Sequence, residues 1–138
     1  LVILIIVSKR MIKTVSIIDD YESLTMSLAI GLENEDYATF KFRHPKEALS
    51  FHKTTPADFY IIDIKLPQMS GIEFYLSLCK QATVHSIPAI FISASNSQEA
   101  NCLTSTTIGD FITKPFNFEA LVARMQRVKT NNLFFNLI

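Results

Sequence analysis

The chain has 138 residues, 49% of them hydrophobic, which excludes a disordered segment and suffices for one domain with a buried core. Its 13 basic and 13 acidic residues cancel. That excludes direct nucleic-acid binding by this domain through its own charge, because phosphate recognition needs a basic surface. The two cysteines, Cys79 and Cys102, have no metal-ligand spacing and read as reduced core thiols of a cytoplasmic protein.

Leu1 to Val7 is wholly apolar but far shorter than the ~20 residues of a membrane span. Lys9 and Arg10 follow this run, whereas a secretory signal carries its positive charge first. Met11 opens a segment that reads better as a start. Residues 1–10 are therefore expected to be an extension or non-native leader outside the functional domain. The alternative is an extra strand or an oligomer contact.

From Thr14 the pattern alternates strand and helix. Val15-Ser16-Ile17-Ile18 reads as a buried strand ending at Asp19-Asp20. Leu24, Leu28 and Leu32 recur at helical spacing, with Gly31 weakening that helix near its end. Tyr37 to Phe42 is a more polar strand, suited to a sheet edge. Pro45 fits the first turn of a second helix that turns Ala48 and Leu49 inward. Phe59-Tyr60-Ile61-Ile62 is a strand buried on both faces, and Asp63 appears where it ends. Pro67 and Gly71 break that strand. An amphipathic run starts at Ser70, with Ile72, Tyr75, Leu76 and Cys79 as its expected inner face.

Pro88 leads into Ala89-Ile90-Phe91-Ile92, which ends at Ser93. The segment 96–108 is expected to be a helix, although its Ser and Thr residues make it a poor one. Asp110-Phe111-Ile112-Thr113 is a short fifth strand stopped by Lys114-Pro115. The last helix has Asn117 as its N-cap and Phe118, Leu121, Val122, Met125 and Val128 on one stripe. His44, His52 and His85 fall on helix starts or loops without evident partners and are expected to be solvated.

Five such units imply an α/β fold with a doubly wound parallel sheet. Right-handed crossovers make the flavodoxin-like (βα)5 strand order 2-1-3-4-5 the natural one. That order sets Asp19, Asp20 and Asp63 side by side at the carboxyl ends of the first and third strands. Ser93 and Lys114 flank them. Crowded carboxylates repel unless a cation compensates, and Mg2+ suits one or two carboxylates plus phosphate oxygens. A carboxylate can attack phosphorus without a general base, so the absence of a nearby histidine fits phosphoryl transfer.

These segments resemble the receiver domain of the two-component response-regulator family. The resemblance rests on Ile17-Ile18-Asp19-Asp20, Asp63 with Leu66 to Gly71, Ile92-Ser93-Ala94 and Asp110 to Phe116, in order. It runs from about Ile12 to Lys129, which sets the expected domain at 11–129 and leaves 130–138 as a tail or linker. It implies that Asp63 accepts a phosphoryl group from a sensor histidine kinase or phosphotransfer protein, with Mg2+ as cofactor. Asp20, Asp63, the backbone carbonyl of Lys65 and, through water, Asp19 would hold the metal. Catalysis would be limited to Mg2+-dependent self-phosphorylation and autodephosphorylation at Asp63.

Ser93 and Lys114 would contact the phosphoryl group, Phe111 would be the switch aromatic, and the Lys114-Pro115 peptide would be cis. The resemblance also implies switching of the face built from the helix at 96–108, the fifth strand and the last helix. Asn117 to Arg124 is most similar to members with winged-helix effectors, which implies a homodimer through that face. Departures from the family pattern are one residue fewer between Ser93 and Lys114, the Ser/Thr-rich helix, Lys65 at the mouth of the site, and Ser95. The last two occupy positions suited to tuning phosphate lifetime.

The competing reading is a receiver-like interaction module that no longer switches, against which the intact Asp20, Asp63, Ser93 and Lys114 count. A magnesium phosphatase would place an acid two residues after its nucleophile, where Lys65 stands. A flavodoxin would need a Ser/Thr/Gly-rich phosphate loop after the first strand.

Overall fold

The computed structural model describes residues 12–94 and 110–137, with side chains as far as Val128. In chain order the elements are β1 (Thr14–Ile18), α1 (Glu22–Asn34), β2 (Ala38–Phe42), α2 (Pro45–His52) and β3 (Phe59–Asp63). Then come α3 (Gly71–Ala82), β4 (Ala89–Ala94), β5 (Asp110–Lys114) and α4 (Phe118–Leu137). The leader at 1–10, Ser95, Cys102 and the predicted helix at 96–108 lie outside the described residues. The segment read as a tail continues α4 to Leu137, and no Pro or Gly interrupts that run. No helix among the described residues is long and apolar enough to cross a membrane.

All strand pairs are parallel, in the order β2-β1-β3-β4-β5, so the more polar β2 lies at an edge. Alternation along each central strand feeds two cores, one on each face of the sheet. Val15, Ile17, Phe59, Ile61, Ile90 and Ile92 meet Leu28 and Leu32 of α1 and Leu121 and Met125 of α4. Ile18, Tyr60, Ile62, Ala89 and Phe91 meet Ala48 of α2 and Phe74, Tyr75 and Leu78 of α3.

Sequence patterns placed most helices well. Pro45 is at the first turn of α2, and the Asn117 side chain caps α4 by accepting from Ala120 N–H at 2.7 Å. Ser70 and Glu73 form a reciprocal capping box at the start of α3. The buried face of α3 differs from the expected one. It is Gly71, Phe74, Tyr75, Leu78 and Cys79, while Leu76 is exposed and Ile72 only half-buried. The stripe begins at Gly71, which displaces Leu76 to the outer side.

Gly31 is more than a weak helix former. A methyl group there would stand 2.6 Å from the Phe118 ring, so α1 has no side chain where α4 begins. The expectation of a solvated His52 is overturned. Its ring is 4% exposed, bonded on both nitrogens and surrounded by aromatic rings, because Ser16 inside β1 supplies it with a polar partner. Cys79 is a buried free thiol, as expected.

Candidate functional site

The parallel sheet brings every strand to its carboxyl end at one pole, and the polar residues that follow the apolar runs collect there. Asp19 directly follows β1, Asp63 closes β3, Ser93 sits near the end of β4 and Lys114 closes β5. The register sets Asp63 beside Ile92, Ser93 beside Thr113 and Ala94 beside Lys114. Carboxylate oxygens of Asp19, Asp20 and Asp63 lie within 4.8 Å of one another. Lys114 Nζ stands 3.7 Å from Asp63 Oδ2 and 3.8 Å from Asp19 Oδ2.

Backbone donors fix two of these acids. Tyr21 N–H donates to Asp19 Oδ1 at 2.9 Å, and Lys65 N–H donates to Asp63 Oδ1 at 3.3 Å. The other Asp19 oxygen, Oδ2, is buried without a hydrogen-bond partner among the described residues, and so is Ser93 Oγ. Two orphaned oxygens at one pole mark a place built to hold something else. Asp20 is exposed, at the rim.

Burial pushes the Asp63 carboxyl up to about 6, the neighbouring Asp19 charge adding to the effect and Lys114 opposing it. Asp19 is also raised, first by burial, with the Tyr21 N–H and Lys114 working the other way. One lysine therefore does not compensate the carboxylates. An all-oxygen donor set with excess negative charge fits a hard divalent cation, and Asp19 Oδ2, which meets the Lys114 ammonium only at 3.8 Å, adds an acceptor oxygen to it.

A close approach that sequence patterns did not reveal sits beneath the acid. Gly71, read as a strand breaker, lies against the backbone of Asp63, where a methyl group would run into the carbonyl oxygen. Gly71 N–H donates to the Ile64 carbonyl at 2.7 Å. Gln68, in the loop between them, takes a φ of 73°, an uncommon conformation for a residue with a side chain. Gly71→Ala is expected to destabilise the fold by about 2 kcal/mol, because backbone cannot yield as a side chain would. A fall in the urea midpoint checks this, and an unchanged midpoint would contradict the packing described.

Phe111 lies on β5 opposite Phe91, its ring half-buried against the α2–α3 core. Arg124 of α4 donates to its carbonyl at 2.7 Å and to Asp110 Oδ1 at 3.2 Å, while Arg127 holds Asp110 Oδ2 at 2.9 Å. The Lys114-Pro115 peptide is cis. Lys65 projects an exposed side chain beside the site.

The response regulator receiver domain model matches residues 15–126. Regulatory protein VanR of Enterococcus faecium is 35% identical over 113 residues, which cover 80% of this chain and 47% of that protein. The phosphate regulon transcriptional regulatory protein PhoB of Pseudomonas aeruginosa is 31% identical over 118 residues, covering 84% of this chain and 51% of that protein. The chain thus spans about half the length of the curated relatives it matches. Among solved structures, the receiver domain of Francisella response regulator 1452 superposes with a TM-score of 0.75 at 26% identity. The alignment covers 87% of this chain and 98% of that one. With the strand order, the acidic cluster and the lysine beside it already in place, these matches make the chain a member of the response regulator receiver-domain family.

Proposed function

We propose that Asp63 accepts a phosphoryl group from a phosphohistidine of a sensor histidine kinase or phosphotransfer protein. The observation that carries this reading is the convergence of three carboxylates with the Lys114 ammonium 3.7 Å from Asp63. An Asp63 oxygen attacks phosphorus, the P–N bond breaks, and the imidazole of the donor keeps the electron pair.

Asp20, Asp63 and the Lys65 carbonyl would hold Mg2+, with Asp19 reaching it through water. When bound, Mg2+ neutralises the crowded carboxylates and the charge on the transferring oxygens. Asp63 needs no general base, since its carboxylate is already the nucleophile. Lys114 turns from the carboxylates to a phosphoryl oxygen. Ser93 Oγ, buried and without a hydrogen-bond partner among the described residues, donates to another.

Drawing Ser93 inward changes the packing behind β4, and the half-buried Phe111 ring is the neighbour able to respond. The phosphoryl group thereby biases two packings of the face built by β5 and α4; the segment 96–108, expected to complete that face, lies outside the described residues. A homodimer through that face is the output this reading favours, with the effector outside the residues that match. The setting is cytoplasmic, and the domain makes no nucleic-acid or membrane contact of its own. Against a module that no longer switches stands the complete set Asp20, Asp63, Ser93 and Lys114.

The test is intact-mass analysis after incubation with Mg2+ and acetyl phosphate, followed by gel filtration. The expected result is the gain of one phosphoryl group, only with Mg2+, and a shift to dimer. No gain in a folded sample that also fails to bind beryllofluoride would overturn the reading.

A further inference from the structure

We propose that Ser16, His52 and the Thr55 carbonyl form an acid-sensitive latch, in which a proton taken up at His52 Nε2 releases α2 from the sheet. The latch lies on the α2–α3 side of the sheet and is separate from the carboxylate cluster.

His52 Nδ1 is 2.8 Å from the Thr55 carbonyl, and Nε2 is 2.7 Å from Ser16 Oγ. A carbonyl only accepts, so Nδ1 carries the hydrogen. Burial favours the neutral ring, and in that state Nε2 accepts from the Ser16 hydroxyl. A solvent proton at Nε2 makes both ring nitrogens donors. Ser16 Oγ must then turn its own hydrogen away in order to accept, and Ser16 is fully buried, with no second partner for that hydrogen among the described residues. The new charge and the stranded donor both lie among buried and half-buried aromatic rings.

Among the described residues no charged group acts on the ring, and Asp58 reaches only as far as Tyr60. β1 presents Ser16, β2 presents Phe40 and Phe42, β3 presents Tyr60, and α2 itself presents Phe51. The four aromatic rings stand edge-to-face with the imidazole, at centroid separations from 4.9 to 5.9 Å. Tyr60 is the one titratable side chain among them. Its hydroxyl accepts from Ala57 N–H and burial raises its pKa, so it stays neutral in acid. Lys53 follows His52 but is exposed to solvent. Burial accordingly lowers the pKa of His52, with the bond to Thr55 opposing.

The helix depends on this residue. α2 has eight residues, too few to persist by itself, and its buried residues are Pro45, Ala48 and His52. Charging the largest of the three removes the contact at its carboxyl end. A cavity of about 430 Å³ between α2 and α3, lined by His52, Tyr60, Leu78 and Gln81 among others, gives the ring a route to water.

Amide hydrogen exchange, normalised for intrinsic rates, tests the latch at pH of about 7.5 and about 5. Protection across Pro45–His52 is expected to fall about tenfold relative to β3 in the native chain. In a Ser16→Ala/His52→Leu double variant, which removes both polar partners, it is expected to stay constant. The variant keeps Asp19 and Asp63, so an equal fall in it would assign the response to the carboxylates and overturn the proposal. No fall in the native chain would do the same. Should the variant not fold, the His52 ring resonances decide: titration below the ordinary histidine range supports the latch, and titration within it sinks the idea.

Discussion

Asp63→Asn is expected to take up no phosphoryl group from acetyl phosphate under conditions that label the native chain to completion. The amide is nearly isosteric with the acid, and Lys65 N–H can still donate to its carbonyl oxygen, so the fold is kept. What disappears is the anionic oxygen that forms the P–O bond. Asp19 is not a substitute, since one of its oxygens is tied to Tyr21 N–H and the other is buried. Lys114→Met tests the other half of the site. It removes the cation 3.7 Å from Asp63, and labelling is expected to slow about a hundredfold without being abolished. Intact mass against time distinguishes the two. Full labelling of the asparagine variant would move the acceptor elsewhere and dissolve the proposed role of Asp63.

The same substitution is expected to stabilise the metal-free protein. Asp63 rises from 3.8 to about 6 on folding, mainly because it is buried, with the Asp19 charge next. The native state therefore binds more protons than the unfolded chain across that interval. Stability from Asp63 is fully present below about 3.8 and is lost as pH rises through about 6. At pH near 8 the penalty is complete, on the order of 3 kcal/mol for a shift of this size. Asp63→Asn removes it, raising Tm in the presence of a chelator by about 10 °C. At pH near 4 both proteins carry a neutral group at this position, and the difference should nearly vanish. Thermal unfolding with and without Mg2+ at the two pH values reads this directly. A destabilised variant at high pH would mean that the carboxylates are not in conflict.

The site was legible because its chemistry is carried by polar residues where apolar strands end. Asp19, Asp63, Ser93 and Lys114 each interrupt or close a buried run, and strand order alone makes four distant positions neighbours. Hidden were the contacts whose meaning depends on a second, remote residue. His52 looks like a helix-end histidine until Ser16, 36 positions earlier, is seen to face it. The available signal was Ser16 itself, a hydroxyl inside an otherwise apolar strand, which must find a partner when buried. Gly31 read as a local weakness because the Phe118 ring that occupies its missing side chain is far along the chain. Leu76 was misassigned because an apolar residue beside a helical stripe gives no sign of which side it takes, and phase was fixed only by Gly71 packing on Asp63.

That Gly71 contact gives the pole a handedness. On the β3–α3 side, the Asp63 backbone rests directly on α3, whose first turn is tied by the Ser70–Glu73 box and by Gly71 N–H to Ile64. On the β4–β5 side, Ser93 Oγ has no hydrogen-bond partner among the described residues, and the Lys114 ammonium meets the carboxylates only at 3.7 and 3.8 Å. The pole works like a vice with one jaw bolted down. A group that enters it is expected to meet close-packed backbone on the α3 side and therefore to displace the opposite wall.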